Sequence, residues 1–136
     1  MLNVTDSAAV PTLVALLAGL LLAITLLQSG LDKVFDFKGN LGWMVPHFAK
    51  SPLAGAVPAL LVILTVLELA SGALCGVGAV LAVFGNHAPW LQLGLMLSGL
   101  TFCALLLGQR LAGDYAGAAG LVPYFLAALV GLYALG

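Results

Sequence analysis

Charge is what this sequence most lacks. Four Lys or Arg and five Asp or Glu make up 7% of the 136 residues, while 63% are hydrophobic. Globular chains in water carry about 25% charged and about 45–50% apolar residues, so water cannot be the only solvent here. A net charge of −1 offers no basic footprint for nucleic acid. Cysteine is equally sparse. Cys75 and Cys103 fall in different apolar runs at depths about 15 Å apart, too far for a disulfide, and there is no CxxC for dithiol chemistry. His47 and His87 fall on opposite faces of the expected bundle, which excludes a two-His haem or metal site within one chain. HExxH, phosphate-binding glycine loops and nucleophile motifs are also missing, so no metal site is expected.

What the sequence has is long apolar runs. Crossing about 30 Å of hydrocarbon takes about 20 residues, and four stretches qualify, at 9–31, 56–81, 88–108 and 116–135. They are apolar on all sides rather than alternating, which points to helices and not to barrel strands. Residues 1–8 carry Asp6 but no Lys or Arg, so the first run reads as a permanent span and not a cleaved signal. The expectation is an all-α, single-domain integral membrane four-helix bundle over residues 1–136, with the lipid bilayer as its first partner.

Four crossings would place loop 32–55 and loop 109–115 on one face. Lys33, Lys38, Lys50 and Arg110 all belong to that face. By the positive-inside rule it is cytoplasmic, and both termini and the 82–87 turn lie on the other side. The stretch "LQSGLDKVFDFKGN" gathers four of the nine charges where the first helix leaves the bilayer. Beyond it, Phe35, Phe37, Trp43, Met44 and Phe48 are spaced for an interfacial segment, helical around 40–50, with Pro46 in its first turn if that helix begins late. Such a segment is either an aromatic belt or a lid over a pocket.

Glu68, in "TVLELASG", lies about 15 Å along the second run, near the bilayer midplane. A carboxylate there must face the bundle interior, find a partner or stay protonated, so it is the first candidate for a functional site. The plainer alternative is a hydrogen-bonded glutamate that joins helices. Gln28 and Ser29 one turn below Asp32, and Gln109 and Arg110 at the end of the third run, are partners by depth. Arg110 can descend toward Glu68 or snorkel outward to Asp32, Asp36 or Asp114. In "GQRLAGDYAG", Arg110 and Asp114 stand at i, i+4 beside Tyr115, and the glycines permit a tight turn. Small-residue pairs at Gly72–Gly76, Gly94–Ser98 and Gly113–Gly117 predict close internal packing more than a dimer.

Three stretches together, "LQSGLDKVFDF", "LELASGALCGVG" and "GQRLAGDYAGAAGLVPYF", resemble the DoxX family of small four-helix bacterial membrane proteins in order, spacing and topology. That family takes its name from a subunit associated with thiosulfate:quinone oxidoreductase or terminal quinol oxidase. The resemblance implies a multi-pass protein of the bacterial inner membrane whose polar pattern falls on Lys33, Glu68, Arg110, Asp114 and Tyr115. It implies an accessory subunit of a quinone-linked respiratory complex, packed against larger membrane subunits, with a quinone or lipid as its bound molecule and no covalent cofactor. The chain has no redox-centre motif of its own. Two other readings stand beside this one. The first is an oligomeric proton-coupled or small-molecule transporter that uses Glu68. The second is a membrane enzyme at the cytoplasmic interface that uses Asp32, Asp36 and Asp114.

Overall fold

The structure, a computed structural model, describes residue 3, residues 5–85 and residues 88–136. Five helices hold most of them, and there is no strand among the described residues: α1 (Val10–Phe35), α2 (Phe37–His47), α3 (Val57–Gly85), α4 (Ala88–Leu111) and α5 (Tyr115–Leu135). A short 3-10 turn, Ser7–Ala9, leads into α1, and another, Ala54–Ala56, leads into α3. The four long helices, counted with their lead-in turns, are each long and apolar enough to cross a membrane, the pattern of a multi-pass membrane protein.

Neighbours in the bundle run antiparallel in the order α1, α3, α4, α5, and the ring closes by contact between α1 and α5. Lipid tails are as apolar as leucine, so apolar transfer does little to hold such helices together; close packing and interhelical hydrogen bonds must do it. Glycines supply the close packing. The bare face of Gly72 lies 3.0 Å from the Leu27 amide nitrogen, measured from where a Cβ would stand, and that of Gly94 lies 2.6 Å from the Cys75 nitrogen. Gly76 stands 3.7 Å from Ala23 by the same measure, so the first two expected small-residue pairs are internal contacts. The third, Gly113–Gly117, joins a turn residue to the first turn of α5.

The core is a column of Leu22, Leu26, Leu91, Leu95, Cys75 and Ala128, with Phe102 stacked on Tyr124. A second, smaller cluster of Met44, Phe48, Val57 and Leu61 seats α2 against the start of α3. The outer faces are the reverse of a water-soluble protein's. Leu17, Ile24, Val66, Val80, Leu100 and Val130 are more than half exposed, as lipid contact requires. Thr25 and Thr65 each return their hydroxyl to the carbonyl four residues back, so neither presents an unmet donor to hydrocarbon. Cys75 is buried and Cys103 exposed, and both are free.

Three boundaries differ from the hydropathy reading. The first span continues past residue 31 to Phe35, the second past 81 to Gly85 and the third past 108 to Leu111. Charge marks where a helix meets the interface, not where its backbone hydrogen bonds stop. The interfacial helix spans Phe37–His47, starting before 40, and Pro46 is its second-last residue instead of lying in its first turn. The reason is Asp36. It ends α1 and starts α2, and its carboxylate accepts from the Gly39 amide at 3.2 Å. The turn expected at 82–87 begins later, since Ala82–Gly85 are helical, and His87 lies outside the described residues.

Candidate functional site

Glu68 is 2% exposed on α3, and its carboxylate meets the Lys33 ammonium at 3.0 and 3.3 Å. Both residues are buried, Lys33 being 8% exposed. Lys33 belongs to α1, two residues before its end, and α1 comes close enough only because Gly30, one turn earlier, lets the helix lie on Leu69. The same ammonium donates to Ser29 Oγ at 2.7 Å, and the Ser29 carbonyl lies at a marginal 3.5 Å. An ammonium has three donors, so two are firmly used and the third is weakly held. The Glu68 carboxylate has no other hydrogen-bond partner among the described residues beyond Lys33.

Beside this pair is a partly open cleft of about 180 Å³ between α2, α3 and α4. Leu60, Ile63, Leu64 and Leu67 form its α3 wall, and Trp43 and Met44 of α2, with Phe48 just after it, cover it. Its polar side chains are few. The Trp43 indole N–H is turned to Asn40 Oδ1 at 3.4 Å, which leaves Lys33 and Gln109 as the polar groups of the lining among the described residues. The aromatic segment therefore forms a cover over a pocket.

Two latches hold that cover. Asn40, buried on α2, donates to the Asp36 carbonyl at 2.9 Å and to Asp32 Oδ2 at 3.2 Å, tying α2 back to α1. His47 Nε2 lies 2.7 Å from Gln109 Oε1 and 3.7 Å from Asp114 Oδ2, tying the other end of α2 to the turn between α4 and α5. Trp43 and Phe48 pack edge-on to the His47 ring and fix its orientation.

The sequence candidates thus separate into groups. Lys33 and Glu68 meet. Gln109 reaches the same cleft from α4. Arg110 does not descend toward Glu68: it stands next to the end of α4, and its guanidinium stacks 4.3 Å from the centre of the Tyr115 ring. Nor does Arg110 pair with Asp114 at i, i+4. Asp114 instead caps α5, accepting from the Gly117 amide at 2.8 Å, after a turn that Gly113 makes at φ +78°. Asp32 and Asp36 are committed to Asn40 and to the α2 cap, so the three aspartates weighed for an interfacial enzyme are each engaged locally. Gln28 is exposed on the outer face of α1.

A row of buried hydroxyls escaped the sequence reading. Ser71, Thr101, Ser98 and the Cys75 thiol are fully buried between α3 and α4, with Cys75 Sγ 3.3 Å from Ser98 Oγ and Ser71 Oγ 3.5 Å from Thr101 Oγ1. Each hydroxyl donates to a carbonyl of its own helix, Ser71 to Leu67, Ser98 to Gly94 and Thr101 to Leu97. Their spacing against Gly72 and Gly94 was the available signal. Among the described residues no buried side-chain nitrogen or oxygen lacks a partner.

Family models, curated proteins and solved structures were compared with the chain, and none matches.

Proposed function

We propose that this protein is an accessory, non-catalytic subunit of a quinone-linked redox complex in a bacterial inner membrane, with the cationic end of the bundle in the cytoplasm and both termini outside. The observation that carries the reading is convergence. The three stretches that resemble the DoxX family contribute Lys33, Leu67 and Gly108 with Gln109 to one cleft, although 34 and then 41 positions separate them in the chain (67 − 33 and 108 − 67). The first and third of them bring the polar side chains Lys33 and Gln109 to its otherwise apolar lining. In this reading larger subunits cover the apolar outer faces, and the electron carriers reside on those partners or on a bound quinone.

Purification from native membranes in mild detergent tests it. Respiratory subunits and extractable quinone should accompany the chain; a solitary species with neither would refute it.

A proton-coupled carrier is favoured by one observation, a buried acid facing a buried base. Against it stands the row of hydroxyls beyond Glu68, whose protons are already given to backbone carbonyls and are not offered to one another. Proton or solute flux into liposomes that is lost in Glu68→Gln would reverse this ranking.

A further inference from the structure

We infer that the cleft under α2 is a binding site for a neutral aromatic ring with carbonyls at opposite edges, a para-quinone head, which enters sideways from the bilayer. This rests on the quinone-linked reading for its biological setting and on the cleft alone for its chemistry. Three features specify the occupant. The walls are aliphatic and aromatic, which selects an apolar body. The ammonium in the lining is already neutralised by Glu68 at 3.0 Å, so an anion would find its charge cancelled, whereas a neutral acceptor can take the weakly held third N–H. The second donor comes from α4. When His47 donates from Nε2 to Gln109 Oε1, the oxygen of that amide is occupied and its NH2 is left to donate.

Two donors on different helices, with apolar walls between, suit a head that offers an acceptor at each edge. A single ester offers one carbonyl and leaves one donor without that acceptor. That asymmetry is why a ring dicarbonyl is the better occupant. Trp43 and Phe48, held edge-on to His47, then bound the ring from the α2 side.

Trp43 also supplies the assay. The chain has two tryptophans, and Trp90 begins α4 at the far end of the bundle, so Trp90→Phe leaves Trp43 as sole reporter. The purified protein would be placed in nanodiscs of ether-linked phosphatidylcholine, which contain no ester carbonyl, and titrated with a decyl-substituted 1,4-benzoquinone. Saturable quenching is expected. It should weaken about tenfold in Gln109→Leu, the loss of one hydrogen bond, and at least as much in the paired variant Lys33→Met/Glu68→Leu, which removes the ammonium without stranding the acid. Gln109→Leu keeps the test decisive if the paired variant misfolds. Monodecanoyl glycerol should displace the quinone poorly. Quenching that rises linearly and equally in all variants, or displacement by the monoester as effective as by unlabelled quinone, would overturn the assignment. Either failure would leave the native co-purification result untouched, so the two readings fall separately.

Discussion

Lys33 stands two residues from the end of α1, yet its ammonium lies 3.0 Å from the carboxylate of Glu68, the twelfth residue of α3. Each charge is sheltered from water and from lipid, and each is the other's main compensation. Removing one partner from such a pair strands a charge in low dielectric, whereas replacing both with apolar groups of similar size is often harmless.

Lys33→Met is therefore expected to destabilise the bundle by about 3 kcal/mol, and Lys33→Met/Glu68→Leu by much less than that. Unfolding in mixed detergent micelles, followed by circular dichroism, measures both. Equal losses in the single and paired variants would mean that the pair contributes nothing beyond packing.

Gly94 and Gly42 make a matched contrast. A Cβ at Gly94 would lie 2.6 Å from the Cys75 nitrogen and 2.8 Å from the Leu74 carbonyl carbon, so Gly94→Ala must push α3 and α4 apart. The cost should be about 1–3 kcal/mol. Gly42 on α2 has nothing within 4 Å, and Gly42→Ala should instead stabilise by about 0.5–1 kcal/mol through helix propensity. The same unfolding assay reads both signs.

The latches on α2 predict a local effect. Asp36→Ala removes the cap of α2 at a cost of about 1 kcal/mol, and His47→Leu severs its tie to Gln109 and Asp114. Amide exchange across 37–47 should speed up in both variants while α3 and α4 keep their protection. Uniform acceleration along the whole chain would show that α2 is integral to the bundle and not a separable cover.

Orientation is open to chemical labelling. In a background with Cys75→Ala and Cys103→Ala, single cysteines at Lys38 and Arg110 should resist an impermeant maleimide added to intact cells, and one at Ser7 should react. Lys38 and Arg110 behaving differently from each other would break the four-crossing topology itself.

Much of this fold was legible in the residues. Run length and lack of charge gave four helices, and the isolation of Glu68 in an apolar run marked it as the acid that must find a partner. Depth alone does not pair it with Lys33, because hydropathy falls at Asp32 and puts Lys33 in the loop. A better signal lay in spacing. Gly19, Leu22, Leu26, Gly30 and Lys33 recur at three and four residues and are all buried, so the inward stripe of α1 runs through the lysine without a break. Arg110 can snorkel either way, and the easier outward direction is the one it takes, over the Tyr115 ring. The ties through Asn40 and His47 depend on how a connecting segment folds back, which periodicity does not encode.

The tight seam between α3 and α4 has an electrical consequence. Gly78 lies directly on the Leu91 backbone, and among the described residues the core of α3 beyond it is alkyl, from Ala79, Ala82 and Val83. A hydrated ion has nowhere to shed its shell in that half. In a bilayer that half of the bundle is insulation, and the ion pair of Lys33 and Glu68 lies toward the other end, where α1 stops at Phe35.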